Sequence, residues 1–276
     1  MQTKYIIFEV DANTGIISSD TLEIYDSFRF INWKLGENEY ILRFGKLGSY
    51  EQFATIKDLL NDNPITVVNN IEVEEITPVG SLEFVEQFMC KTVKPINIPI
   101  QIYKQCQDLV GRKIWYINNT KDDINQVISE AKSLGFSELF VKGNVGCKKF
   151  DADIFDFTSL QAHNKLPAKL FISETLDIEA EWRAFVFRGQ ILDCKQYLGN
   201  YKSTYSTDAL DKAVKVWTDS PSAYTLDIAK LSDGRTVIIE AHNFISCGLY
   251  GFADKNKLAF MVRAAYREEK SNKASR

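Results

Sequence analysis

Two carboxylates in the last fifth of the chain, Asp227 and Glu240, are spaced to meet across a turn. They occupy the two arms of AYTLDIAKLSDGRTVIIEAHN, in which Asp233-Gly234 is a strong short-range signal for a β-hairpin. If those two residues form the loop, Ser232 faces Arg235, and counting outward sets Asp227 opposite Glu240 on one face of the ribbon. Opposed residues have Cβ atoms roughly 4.5–5.5 Å apart, and like charges placed there repel. A divalent cation that prefers oxygen, Mg2+ above all, relieves this and usually arrives with substrate phosphates. Period two carries His242 to the face of Glu240, and Asn243 could add an amide oxygen where the strand ends. Two histidines in the whole chain argue against zinc chemistry, and a histidine alone serves structure or substrate more often than a hard cation. The alternative is a solvated face with two unrelated carboxylates, or a register slip that separates them.

Two upstream segments could handle phosphate. Lys142 closes the apolar stretch ELFVK, and GNVGCKK follows with two glycines, Lys148 and Lys149. Glycine lets backbone N–H groups approach an anion, and lysine supplies a point charge. The spacing is neither GxxxxGK[ST] nor GxGxxG, and a basic surface turn would read the same way. In ISETLDIEAEWRAFVFRGQILDCKQY, Glu174 ends an apolar strand, while Glu181 and Arg183 alternate onto one face of the next. A buried arginine offers phosphate planar, multidentate contacts, and a glutamate beside it could hold its orientation. The competing reading is a surface ion pair worth ~0–1 kcal/mol. Trp182, Phe185 and Phe187 are assigned to the core. A type II′ turn at Gly189-Gln190 sets Lys195 opposite Ala184, away from Arg183, and leaves it without a role.

The elements around these segments follow from periodicity. Tyr5 to Val10, Tyr40 to Phe44, Glu138 to Lys142 and Leu170 to Ser173 read as strands, and Glu51 to Leu60 and Leu82 to Met89 as short helices. Thr120 and Asp123 open the clearest helix, with Ile124, Val127, Ile128, Ala131 and Leu134 on one face and Gly135 as its stop. Leu210, Ala213, Val214 and Trp217 mark another, and Lys255 to Tyr266 a last one. The two prolines of KTVKPINIP suit an extended connection and a first boundary. Hairpins dominate the second half, which favours α+β lobes over one doubly wound sheet.

Composition sets outer limits. At 276 residues, 45% hydrophobic and 25% charged, the chain affords a sizeable core and more than one lobe. A formal net charge of −4 argues against a nucleic-acid surface. Five scattered cysteines without CxxC spacing read as reduced thiols, which points to the cytoplasm. No apolar run approaches the ~18 residues that span a bilayer, and the start is too short for a signal peptide.

The order of the motifs is more specific than any one of them. A strand ending in lysine, a glycine-containing basic loop, Ser-Glu, Glu-x-Arg, Asp, and then Glu followed by asparagine resembles the ATP-grasp superfamily. The wording VGSLEFVEQF, FVKGNVGCKKF, ISETLDIEAEWRAFVFRGQILDCKQYLG, AYTLDIAKLSDGRTVIIEAHN and GLYGF is similar to a branch of it found in bacteria and phages, over roughly residues 74 to 252. The resemblance implies an α+β ATP-grasp fold, two subdomains clasping ATP, preceded by a small α/β N-terminal lobe. The divisions expected are 1–95 for the lobe and 96–276 for the ATP-grasp domain, subdivided at about 168/169.

Carried over residue by residue, the resemblance assigns Lys142, Lys148 and Lys149 to the nucleotide phosphates, and Glu174 with Phe171, Ile172 and Ser173 to adenine or ribose. Glu181 joins the nucleotide site, Arg183 and Lys148 act on the transferring phosphoryl group, and Asp227 and Glu240 bind Mg2+. The usual third ligand is an asparagine two residues after the glutamate; here His242 holds that position and Asn243 follows it. The implied reaction activates a small-molecule or peptide carboxylate with ATP as an acyl phosphate and captures it with an amine. GNVGCKK and the stretch Gly199 to Thr207 are candidates for a shielding loop. A kinase of the same superfamily would use the same motifs, and an inactive nucleotide-binding protein would keep them in part.

Overall fold

A computed structural model of the chain describes residues 5–10, 16–17, 19–35, 40–45, 54–55, 76–81, 84–85, 101–143, 150 and 152–274. They build three four-stranded sheets. The first contains β1 (Tyr5–Val10), β2 (Tyr40–Gly45), β3 (Ala54–Thr55) and β4 (Ile76–Val79), with α1 (Ser19–Leu35) between β1 and β2. β1 pairs in parallel with β2 and β4, as a sheet joined by helical crossovers does. Ile6, Phe8 and Val10 pack on Ile24, Tyr25 and Phe28 of α1 and on Leu258, Met261 and Val262 of the C-terminal helix α7 (Leu258–Ala274). The buried Ser27 hydroxyl ties the two ends together, donating to Lys255 O at 2.8 Å and accepting from Ala259 N at 3.0 Å.

After the short helices α2 (Gln101–Gln105) and α3 (Gln107–Val110), the second sheet is antiparallel throughout. It comprises β5 (Ile114–Asn118), β6 (Glu138–Gly143), β7 (Asp153–Asp156) and β8 (Lys169–Ser173), in the order β5-β8-β6-β7. α4 (Lys121–Ser133) and α5 (Phe157–Ala162) cover one face. The Thr120 hydroxyl accepts Asp123 N–H at 3.1 Å, a cap worth about 1 kcal/mol. Ile124, Val127, Ile128 and Ala131 are buried, and Gly135 takes φ +84° just past the end. Leu134, expected on the same face, is 51% exposed, because α4 stops at Ser133 and Leu134 already sits on the turn.

The third sheet carries β9 (Ile178–Phe187), β10 (Gln190–Gly199), β11 (Ala223–Leu231) and β12 (Thr236–Asn243), in the order β10-β9-β11-β12. Its Trp182, Ala184, Val186, Tyr224, Leu226 and Ile228 point to α6 (Thr207–Val216), whose Leu210, Ala213 and Val214 are buried with Trp217. The opposite face of the sheet is where the charged residues lie.

The expected helix over Glu51 to Leu60 is corrected at its described residues. Ala54 and Thr55 form a strand, since pairing with Leu42 and Arg43 at the sheet edge satisfies their backbone. Phe84 and Val85 are helical as expected; the rest of both segments, and KTVKPINIP up to residue 99, lie outside the described residues. α7 starts at Leu258 and runs on to Ala274. Among the described residues no helix is long and apolar enough to cross a membrane.

Candidate functional site: a charged rung between two sheets

One rung of the third sheet reads Lys195, Arg183, Asp227, Glu240 across its four strands. The Asp227–Glu240 pairing is the one expected from sequence, reached by a different route. Leu231 N–H donates to Arg235 O and Gly234 N–H to Leu231 O, both at 2.9 Å, so the loop is the three residues Ser232 to Gly234. Ile228, Ala229 and Lys230 therefore pair one residue out of the expected register, with Ile238, Val237 and Thr236. Ile239 is then an extra residue, a β-bulge, and beyond it Asp227 faces Glu240. Without the bulge Glu240 would stand opposite Leu226 and point into the core under α6.

Each carboxylate already holds a cation. Arg183 Nε and Nη2 donate to Asp227 Oδ1 and Oδ2 at 2.8 and 2.7 Å, and Nη1 donates to Gly248 O at 3.3 Å. Burial disfavours the guanidinium charge, but the Asp227 pair outweighs burial and keeps Arg183 ionised. Glu240 Oε2 accepts from Lys142 Nζ at 3.1 Å, and its Oε1 lies 2.6 Å from His242 Nε2. Burial opposes ionisation of Glu240 too, yet the bonds and charges of His242 and Lys142 hold its carboxyl far below the usual range. One ligand atom from each of Asp227, Glu240 and His242 can be chosen so that all lie within 4.8 Å of one another.

Tyr197 closes the opposite side. It is an extra residue in β10, between Gln196, paired with Trp182, and Leu198, paired with Glu181. Its hydroxyl donates to Glu181 Oε2 and lies 3.4 Å from Asp227 Oδ2. Burial, then the Asp227 charge and the bond to Glu181, push the phenol well above its ordinary value, so it stays a donor. Burial also raises the Glu181 carboxyl, with the Tyr197 bond pulling it back. The Tyr197 ring stacks on Tyr250 at 4.8 Å, and the Arg183 guanidinium carbon lies 5.7 and 5.1 Å from the two ring centroids.

Lys142 reaches this cluster from the second sheet, where it shares a rung with Phe171 and Tyr116. Its Nζ sits 4.8 Å from the Phe171 ring centroid. Ser173 lies two residues along on the same face, whereas Ile172 points the other way into the core under α4. β8 is interior, so the backbone of Phe171 to Ser173 is engaged on both sides. That corrects its expected availability to a nucleotide; chain outside the ladder begins at Glu174. Glu174 N–H donates to Lys113 O at 3.1 Å, and its Oε2 accepts Lys113 N–H at 3.3 Å. Leu176 then packs with Ile178, Ala229, Leu231, Val237 and Ile239.

Asn243 does not join the cluster. It takes the strand position after His242, faces the other way, and its Nδ2 lies 3.4 Å from Glu269 Oε2 on α7. Lys148 and Lys149, with most of GNVGCKK, lie outside the described residues.

Residues 109–260, more than half of the chain, match the model of an ATP-grasp domain, the second family of its clade. The chain belongs to that ATP-grasp family. D-alanyl-alanine synthetase A from Vibrio cholerae superposes with a TM-score of 0.53 at 10% identity, over 98% of this chain and 100% of that one. D-alanine–D-alanine ligase from Bacillus anthracis complexed with ATP gives 0.52 at 15%, over 98% and 99%. D-cycloserine synthetase DcsG gives 0.53 at 10%, over 95% and 99%. These likenesses show an ATP-grasp fold across nearly the whole chain. No curated protein sequence matches.

Within this ATP-grasp chain, sequence reasoning passed over Lys195 and Tyr197. The turn of the first hairpin is Arg188-Gly189, with φ +51° and +74°, one residue earlier than expected, because Phe187 pairs with Gln190. A bulge at Leu192 then sets Lys195 opposite Arg183 rather than Ala184. Lys195 Nζ pairs with Asp193 at 2.8 Å on the same face. Neither bulge has a composition signal, so nothing in the residue types would have shown it.

Proposed function

We propose that the chain is an ATP- and Mg2+-dependent ligase that joins a carboxylate to an amine through an acyl phosphate. The observation that carries this is Lys142 of one sheet meeting Glu240 of the other, with Asp227 beside it on the same rung. A positive group from the phosphate-handling strand and two carboxylates thus converge between the sheets of an ATP-grasp fold.

The residues fit Mg2+ by their donor chemistry. Asp227 and Glu240 offer hard oxygen, and a protein that supplies one or two carboxylates leaves the remaining positions to water and phosphate. The His242 nitrogen is a poorer ligand for this ion, and its 2.6 Å contact suits it to orienting Glu240. Mg2+ held there would bridge phosphate oxygens and spread their negative charge. The chain's own groups do the rest. Lys142 and Arg183 turn from their carboxylates toward the triphosphate, Lys195 adds a third cation on the same face, and Glu181 with Tyr197 borders the pocket.

The substrate carboxylate oxygen attacks the γ-phosphorus as the bond to the β–γ bridging oxygen breaks, releasing ADP. The amine nitrogen then attacks the acyl carbon, inorganic phosphate leaves with the former carboxylate oxygen, and the nitrogen loses a proton. This is positioning and electrostatics, with no protein nucleophile.

We place the N-terminal lobe at 1–95 and the ATP-grasp domain after it, with the inner division moved past Ser173 so that β8 stays with its sheet. The scattered thiols suit the cytoplasm. The test is turnover of ATP with Mg2+ across a panel of acids and amines. ADP, phosphate and amide in equal amounts are expected. A phosphorylated hydroxyl without amine dependence would make the protein a kinase, and no ADP from any acid would contradict catalysis.

A further inference from the structure

β12 is an edge strand, and an edge leaves backbone groups without ladder partners. In a regular strand successive carbonyls point to opposite sides. At the Ile239 bulge two successive carbonyls turn the same way, and one guanidinium takes both. Arg112 Nη1 donates to Ile238 O at 2.8 Å and Nη2 to Ile239 O at 3.0 Å. The same side chain bonds Val110 O at 3.2 Å and lies 6.0 Å above the Phe171 ring, so it is fixed from both sheets.

Its neighbours hold the same stretch of β12. Gly111 has φ +66°, and a Cβ there would meet Val237 Cγ1 at 2.4 Å, so the backbone approaches β12 more closely than any side chain would allow. Arg235 Nη1 donates back to Gly111 O at 3.2 Å. The connector from α3 to β5 is therefore laid along β12 at the place where its register changes.

We propose that Arg112 is a positioning residue for the cation site: by holding the Ile238 and Ile239 carbonyls it fixes the bulge that turns Glu240 toward Asp227. The inference rests on the metal reading above and deepens it. Arg112 touches neither carboxylate; it acts through the backbone register. Arginine suits the task because its planar fork spans two carbonyls, which a lysine ammonium cannot do in one geometry.

The test measures Mn2+ binding by electron paramagnetic resonance, with a non-hydrolysable ATP analogue, on the full chain. Arg112→Met is expected to weaken Mn2+ binding about tenfold or more, the size of outer-shell effects on metal affinity. Affinity for the analogue without metal should change far less, and Arg112→Lys should recover part of the loss. Deleting Ile239 removes the bulge yet leaves Glu240 opposite Asp227, so adding Arg112→Met to that deletion should cause no further loss. Unchanged Mn2+ affinity in Arg112→Met, or an equal loss in both backgrounds, overturns the proposal. If the deletion does not fold, amide hydrogen exchange on Arg112→Met decides: faster exchange confined to Ile239 and Glu240 is expected, and unchanged exchange overturns the idea. Should the unmodified chain bind no Mn2+, the metal reading fails, and the same exchange experiment still decides whether Arg112 holds the bulge.

Discussion

The two hairpins of the third sheet reach the charged rung by opposite means. The β11–β12 ribbon is held from outside, by Arg112 on the carbonyls of its bulge. The β9–β10 ribbon is held from within, by the Tyr197 hydroxyl on Glu181. Both tips lie one residue from the turn that Gly and Asp suggest, and in both a bulge, not the turn, sets which side chains share the cleft. In the second hairpin the two offsets cancel and Asp227 meets Glu240 as counted. In the first they do not cancel at Lys195, which lands beside Arg183.

The pairs on the rung also differ in burial, and this gives the largest expected effect. Asp227 is 1% exposed and its Arg183 partner 8%. Asp227→Ala should leave a buried guanidinium unpaired and lower stability by about 3–5 kcal/mol. Lys142→Ala on the half-buried pair should lower it by only about 1 kcal/mol. Chemical denaturation measures both, and equal losses would erase the distinction.

Lys195 tests the register of the first hairpin. Its pair with Asp193 is about one-third exposed, so Lys195→Met should change stability by under about 1 kcal/mol. If it faces the phosphates beside Arg183, ATP turnover falls about tenfold or more. A variant with full turnover would return Lys195 to the surface role that its sequence position suggested.

Glu181 gives a pH signature. Burial raises its carboxyl above the unfolded value, so the folded state binds the proton more tightly. Its contribution to stability is therefore lost as pH rises from the unfolded value through the folded one, upward from the ordinary glutamate range. Glu181→Gln should flatten that part of the stability–pH curve, whereas an unchanged slope would assign the titration to another group. Smallest of all is Arg188→Asn at the first hairpin's tip, where φ is +51°. Asparagine tolerates that conformation better and should add roughly 0.5–1 kcal/mol, with turnover unchanged because the bulges set the register.

Much of the fold was legible because burial has a period. Ile124, Val127, Ile128 and Ala131 are buried at helical spacing, and Trp182, Ala184 and Val186 at strand spacing, as their side-chain types require. The carboxylate pair was legible because Asp233-Gly234 marks a turn closely enough for the count to succeed. The bulges were not, since Leu192, Tyr197 and Ile239 are ordinary strand residues and the insertion exists only in the pairing. Arg112 stands in VGRKI, a stretch without a motif, and its partners are two carbonyls 126 and 127 positions away. Asn243 was misdirected for the reverse reason: adjacency in sequence to His242 means the opposite face of a strand.

The sharpest test is a Mn2+ titration of the chain with a non-hydrolysable ATP analogue, comparing Asp227→Asn and Glu240→Gln with the unmodified protein. Loss of the same bound ion in both, by more than about a hundredfold in affinity, is expected of two groups sharing one cation. Binding that survives in either variant at the original strength would show that the ion, if it binds, is held elsewhere.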